Sequence, residues 1–148
     1  MRSRFPVVAP IEVRWRDIDA LGHVNNAVYF TYFEIARTRY YEVVFGAGGI
    51  DDIDFLLASI RCDFLRPVGY GERLEVGIRI PWVGRTSYGF EYEARARGDD
   101  GPAGVVARAE SVQVRFDVRR GEKLPITDEW LAQVARAQGG RPEVRGRS

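Results

Sequence analysis

The chain has 148 residues, 45% of them hydrophobic and 12% aromatic, which is enough for one packed core and too few for two. Its 22 basic side chains nearly balance 21 acidic ones, so no strongly positive field marks it as a nucleic-acid binder. Cys62 is alone and cannot form an internal disulfide, no run approaches the ~20 apolar residues of a membrane span, and MRSRFPVVAP lacks an apolar export core. These features predict a cytoplasmic protein with no nucleic-acid partner and no membrane association.

In chain order, Ile11 to Arg16 alternates apolar and charged residues, the period of a strand with one buried face. Next comes a polar cluster, Arg16-Asp17-Ile18-Asp19-Ala20-Leu21-Gly22-His23-Val24-Asn25-Asn26, which holds the only histidine. Beyond it Tyr29, Phe33, Ala36, Tyr40 and Val44 recur at helical spacing, and Gly46 to Gly49 ends the run. The spacing predicts one helix of roughly 18 residues, about 27 Å long. Asn25 or Asn26 is placed to accept from its first free N–H groups. Val28, Phe30, Tyr32 and Ile35 lie off the main stripe, so the helix needs a second covering surface, most simply a subunit partner.

From Phe55 the period becomes two. Ile60, Cys62 and Phe64 share one face, and Leu74, Val76, Ile78 and Ile80 form the next. Tyr88, Phe90, Tyr92, Ala94 and Ala96 alternate with Glu91, Glu93, Arg95 and Arg97, after which Asp99-Asp100-Gly101-Pro102 has the composition of a hairpin turn. In the last strand Val105, Ala107 and Ala109 are odd while Val112, Val114, Phe116 and Val118 are even, which predicts a bulge near Glu110 or Ser111. A short helix at Asp128 to Ala137 precedes a Gly/Arg/Pro tail. We expect one domain over residues 1–138 and a disordered tail over 139–148. A strand, a long helix and a run of strands give an α+β fold: an antiparallel sheet of about five to six strands wrapped around one long central helix.

The polar cluster carries the candidate chemistry. Spacing alone leaves Asp19 open between a turn or cap residue and a catalytic carboxylate. Asp17, at a strand end, reads as a structural partner of Arg14 or Arg16. His23 is either a structural histidine or a group that orients Asp19, polarises a carbonyl or protonates a leaving group. One histidine and one cysteine make a metal site improbable. Glu34 is placed to pair with Arg37 at i,i+3, and Cys62 reads as a small apolar strand residue.

The pattern Asp17-x-Asp19-x-x-Gly22-His23-Val24-Asn25-Asn26-x-x-Tyr29, followed by Tyr32, Phe33, Glu34 and Ala36-Arg37, resembles the hotdog-fold acyl-CoA thioesterases of the 4-hydroxybenzoyl-CoA thioesterase type. The resemblance spans roughly Pro10 to Ala135, including the turn Gly84-Arg85-Thr86-Ser87. It implies a hotdog fold and a homodimer or homotetramer whose sheets join edge to edge around paired sites. It further implies hydrolysis of an acyl-CoA to a carboxylic acid and free CoA, with no cofactor beyond the coenzyme A of the substrate. Asp19 matches the family's catalytic aspartate, acting as general base or nucleophile. His23 and Asn25 are the further catalytic candidates. The oxyanion is expected at unpaired N–H groups of Val24, Asn25, Asn26 and Ala27. Val24, Asn26, Tyr29, Arg85, Thr86 and Ser87 are the candidate substrate-binding residues, with Arg66, Arg61 or another subunit as further sources of phosphate contacts; Tyr29, Phe33, Phe55 and Leu56 line either an acyl tunnel or ordinary core. Plant acyl-carrier-protein thioesterases are similar in this loop, but their asparagine position falls on Leu21 here, with Asn25 as a spatial substitute. A related branch uses a helical glutamate, the position of Glu34, but lacks the loop aspartate. Alternatives are a carrier-protein thioesterase, a hotdog hydratase, against which this loop argues, and a non-catalytic acyl-CoA-binding protein.

Overall fold

A computed structural model describes residues 4–98 and 104–146. The expected hairpin turn at Asp99 to Pro102 lies outside the described residues.

Strand β1 runs over Val7–Glu12, with Val7, Ala9 and Ile11 turned inward. It starts and ends earlier than the charge alternation predicts, and the carboxylate of Asp17 is the reason for its end. That carboxylate accepts from the backbone N–H and the guanidinium of Arg14 and folds Trp15–Asp17 into a 3-10 turn. Pro10 is tolerated because, among the described residues, β1 pairs only with the strand over Arg73–Arg79 and lies at the sheet edge.

Helix α1 covers Val28–Phe45, eighteen residues as the spacing predicts. Gly46 ends it in the left-handed region at φ 69°, and the Gly46 and Ala47 N–H groups return to Glu42 and Tyr41. Tyr29, Tyr32, Phe33, Ala36, Tyr40 and Tyr41 are buried at steps of one, three and four. Tyr32 is thus covered within the chain, whereas Phe30 and Ile35 remain exposed and still lack a cover. Arg37 is not paired with Glu34. It points into the core, 6% exposed, and donates to the Tyr92 hydroxyl.

The sheet is built from β1, β2 (Phe55–Phe64), β3 (Arg73–Arg79), β5 (Ser87–Ala96) and β6 (Val105–Asp117) in the spatial order β1-β3-β5-β6-β2, antiparallel throughout. Two-residue strands β4 (Trp82–Val83), β7 (Glu122–Lys123) and β8 (Glu143–Val144) extend it. Leu74, Val76, Ile78, Tyr88, Phe90, Tyr92 and Ala94 form the inner face as expected, and Phe33 and Tyr40 of α1 pack on Tyr92 and Phe90 at ring distances of 4.8 and 5.1 Å. A curled antiparallel sheet around one long helix is the hotdog arrangement.

The bulge expected near Glu110 or Ser111 is absent. Strand β6 keeps its phase, and Ser111 and Gln113 continue the buried face because the interior satisfies them: Ser111 bonds Tyr92 and Gln113, and Gln113 donates to the Tyr88 carbonyl. Register shifts fall instead at Leu57/Ser59 and at Ala94/Arg95. Glu93 and Arg95, assigned by alternation to a solvated face, are buried and paired with each other.

Helix α2, Asp128–Gln138, is capped by the Thr127 hydroxyl accepting from the Trp130 N–H, and it stacks Trp130 on Phe45. The tail expected to be disordered beyond Gly139 instead pairs through β8 with β4, while the Arg145 guanidinium lies 5.2 Å from the Trp82 ring centre. Gly89 also lies against that indole, and an added Cβ there would collide with Trp82 Nε1. Gly89→Ala is therefore expected to displace Trp82 and lower stability by about 1–3 kcal/mol in chemical denaturation. An unchanged midpoint would mean that the indole can move freely. Among the described residues no helix is long and apolar enough to cross a membrane.

Candidate active site

The segment between β1 and α1 is held at both ends. Asp17, 1% exposed, accepts from Arg14 and from the Tyr32 hydroxyl at 2.7 Å, while its carbonyl accepts from the Asn25 N–H. Burial alone would raise its carboxyl, but the hydrogen bonds from Arg14 and Tyr32 and the charge of Arg14 outweigh burial and hold it below the ordinary carboxylate range. Asp17 is thus the structural carboxylate that the sequence predicts, with Arg14 as its partner.

From this anchor the chain makes a tight turn. The Asp19 carbonyl accepts from Gly22 N–H, which needs the glycine at φ 85°, and the Asp19 N–H returns to the His23 carbonyl. One carboxylate oxygen, Oδ1, accepts from the Leu21 N–H at 2.9 Å, and no hydrogen bond is made to Oδ2 within the described residues. The turn is then tied to the loop after β2 by the His23 to Gly69 bridge and by Val24 N–H donating to the Val68 carbonyl.

Asp19, Leu21, His23, Val24, Asn25, Asn26 and Tyr29 line a cleft of about 430 Å³, closed on the other side by Phe64, Leu65, Arg66 and Pro67. Asp19 is half-buried there, while His23, Asn25 and Asn26 are exposed. The catalytic candidates Asp19, His23 and Asn25 are therefore brought together, as are three of the six binding candidates.

The expected group of four oxyanion donors is reduced by hydrogen-bond accounting. Val24 N–H is taken by Val68, Asn25 N–H by the Asp17 carbonyl, and Ala27 N–H by Oδ1 of Asn25 at 2.9 Å. Only the Asn26 N–H of the four is left without a partner among the described residues. Val24 serves the cleft as an apolar wall and not as a donor. The Asn25 side chain does cap, but at the Ala27 N–H just ahead of the helix, and Ala27 itself takes the N-cap position with no side-chain bond.

Arg85, Thr86 and Ser87 are not at this cleft. The Arg85 and Thr86 carbonyls accept from Ile126 and Arg115, which places the turn beside the Phe55 end of β2, whereas the cleft lies beside the Phe64 end. The ten residues of β2 separate them by roughly 30 Å at ~3.3 Å per residue. Arg66 is in the cleft wall, bonded to Glu72 and to the Pro67 carbonyl, while Arg61 pairs with Asp63 away from it. Phe33 and Phe55 are packing residues against Tyr92 and Tyr41, and Leu56 is exposed. Glu34 lines a separate surface groove with Ile35, Thr38 and Glu42. Burial, with a smaller contribution from Asp63, pushes the Cys62 thiol up to about 11, so it is an inert strand residue as expected. Among the described residues no group of three His, Cys, Asp or Glu side chains is gathered for a metal ion. The wall formed by Phe64, Leu65 and Pro67 was not assigned from sequence. Its only trace there is Leu65 directly after the apolar end of the strand, with Arg66 between it and the proline.

The sequence profile of the thioesterase-like superfamily matches residues 13–134. A thioesterase of Thermus thermophilus, solved with coenzyme A and zinc, is 33% identical, covers 94% of this chain and 98% of its own, and superposes with a TM-score of 0.80. The PA5185 protein of Pseudomonas aeruginosa strain PAO1 is 28% identical over 93% of this chain and 94% of its own, with a TM-score of 0.78. The uncharacterized protein YsmA of Bacillus subtilis strain 168 is 28% identical over 129 residues, 86% of this chain and 84% of YsmA. With Asp19, His23 and Asn26 on one cleft at the start of the central helix, and with a profile match over most of its length, the chain belongs to the thioesterase-like superfamily.

Proposed function

We propose that this protein is an acyl-CoA thioesterase that hydrolyses an acyl-CoA to a carboxylic acid and free CoA, with Asp19 as its catalytic carboxylate. Superfamily membership supports thioester hydrolysis in general. The observation that carries the finer reading is the juxtaposition of a carboxylate with one unbonded oxygen and an unpaired N–H at the start of a helix, on one cleft. Hydrolysis joins a water oxygen to the carbonyl carbon and breaks its bond to sulfur. Asp19 either takes the proton from that water or attacks the carbon itself, and in the second route water then cleaves the mixed anhydride. The Asn26 N–H faces the carbonyl oxygen as charge builds on it, and His23 or solvent returns a proton to the thiolate.

Coenzyme A as the thiol is supported by the Thermus relative, which was solved with it. In this chain Arg66 is the basic group nearest the cleft. The Arg85-Thr86-Ser87 turn fits the same role only from a second copy. Among the described residues strand β2 is a free sheet edge that exposes Leu56 and Leu57, the kind of edge that invites pairing. Antiparallel pairing of two β2 edges about a two-fold axis would bring the Phe55 end of one copy, with its 85–87 turn, toward the Phe64 end and cleft of the other. Replacing both Leu56 and Leu57 with Arg is accordingly expected to halve the mass in sedimentation and to lower activity with it. A variant that keeps its mass and activity would place the subunit contact elsewhere.

The reading is tested with a panel of short, long and aromatic acyl-CoAs, beside the same acyl groups on a carrier protein, followed by free thiol release. Turnover of one acyl-CoA class supports it. Turnover of carrier-protein thioesters alone would replace coenzyme A as the thiol, and tight acyl-CoA retention without release would make this a binding protein.

A further inference from the structure

Six tyrosines of the described chain are buried, and five of their hydroxyls are tied to protein partners. Tyr32 bonds Asp17, Tyr40 bonds Gln138, Tyr41 bonds Asp54 and Tyr88, and Tyr92 bonds Arg37 and Ser111. Tyr29 is the exception. Its side chain is 2% exposed, yet its hydroxyl makes no hydrogen bond among the described residues, and the oxygen is not sealed but opens on the cleft that Asp19, His23 and Asn26 line. A hydroxyl that reaches an open cleft with no protein partner is free to bond water or whatever ligand displaces it.

The ring is fixed by edge contacts to Tyr32 and Phe64 at 5.7 and 5.3 Å. Helical side chains lean toward the helix N-terminus, so Tyr29 covers the turn that begins three residues earlier at Asn26, whose N–H is also unpaired. Asn26 and Tyr29, each with a donor that has no partner among the described residues, thus both line the cleft that Asp19 lines. Burial, and to a lesser degree the neighbouring Cys62, pushes the phenol up to about 12, so it stays protonated and able to donate through the neutral range.

We propose that the Tyr29 hydroxyl donates a hydrogen bond to the carbonyl oxygen of the bound thioester and, with the Asn26 N–H, forms a two-donor site for the charge that develops there. This rests on the thioester reading above and extends it from the backbone donor to a side chain.

Tyr29→Phe keeps the ring and its edge contacts and removes only the donor. On the acyl-CoA that the wild type turns over best, the expected result is a kcat lower by about a hundredfold or more, with KM raised by no more than about tenfold and no loss of thermal stability. Binding gives a second reading. A substrate analogue with CH₂ in place of the sulfur keeps the carbonyl, and this ketone should bind the variant about tenfold more weakly. A thioether with the carbonyl reduced to CH₂ should bind both proteins alike. Equal kcat in an active wild type and variant, or equal weakening for ketone and thioether, overturns the proposal. A wild type that hydrolyses no acyl-CoA overturns the thioester reading instead, and the ketone and thioether comparison then still decides whether Tyr29 meets a carbonyl.

Discussion

Asp19→Asn is expected to lower acyl-CoA hydrolysis by a hundredfold or more while leaving the protein folded. The size follows from what the substitution removes. Asparagine keeps the shape of the side chain and an oxygen that can still accept from the Leu21 N–H, so the turn closed by Gly22 has no reason to move. What disappears is the negative charge and basicity of the oxygen that faces the cleft. Positioned acid–base groups contribute typically ~10²–10⁴ in rate, and a nucleophile contributes at least as much to its own route. Thermal unfolding should stay within about 0.5 kcal/mol of wild type, as for a surface change that breaks no bond. Thiol release followed alongside unfolding checks both halves. A variant that loses stability and rate together would make Asp19 a turn residue. His23→Gln gives the comparison within the cleft, and a smaller loss in kcat is expected because solvent can also protonate the departing thiolate.

Asp17→Ala is expected to act on stability first. The carboxylate is 1% exposed and holds Arg14 at 2.9 Å and the Tyr32 hydroxyl at 2.7 Å. Removing it leaves the buried Tyr32 hydroxyl without a partner and releases the 3-10 turn that ends β1. Arg14 is half-exposed and returns to water at little cost, so the full penalty of a broken buried ion pair does not apply. The expected loss is about 3 kcal/mol, from charge-assisted hydrogen bonds and one orphaned donor. For a domain of this size that corresponds to a fall in Tm of roughly 6–12 °C.

The same group sets an acid limit. Because the Asp17 carboxyl is held below its unfolded value, its stabilising contribution is fully present above the unfolded pKa of ~3.9 and is lost as pH falls through the lower folded value. The stability gap between wild type and Asp17→Ala should therefore be constant near neutrality and shrink only below about pH 4. A gap that is small at pH 7, or that closes well above pH 4, would mean that the hydrogen bonds around Asp17 carry little.

The strength of local periodicity explains which parts of the fold could be read in advance. The place and approximate length of helix α1 were legible because aromatic spacing and a terminal glycine agree, and β3 and β5 were legible because Leu74 to Ile80 and Tyr88 to Ala94 alternate cleanly. Strand β6 misleads because hydrophobicity along it does not track inwardness. Ser111 and Gln113 face inward with partners from β5, whereas Val112 and Val114 lie on the other, half-covered face. Arg37 and the tail strand escaped for a related reason, since a core tyrosine hydroxyl and an indole face are partners that no local pattern announces.

In the cleft, the residues left Asp19 and His23 open and the family resemblance pointed to Asp19, His23 and Asn25, but neither told which donors are free. Three of the four expected N–H groups are consumed by Val68, Asp17 and Asn25, two of them across the fold of the loop. The far wall at Phe64, Leu65 and Pro67 and the separation of the 85–87 turn follow from β2 wrapping past the helix N-terminus, a tertiary arrangement with no trace in sequence spacing.

The most direct test of the central claim is a product balance: the wild-type protein is incubated with acyl-CoAs of several chain lengths, and free thiol and free carboxylic acid are quantified together. The account predicts equal amounts of both products from at least one class and neither above background from Asp19→Asn. Acyl-CoA recovered intact from the wild type, or the same turnover by wild type and Asp19→Asn, would contradict it.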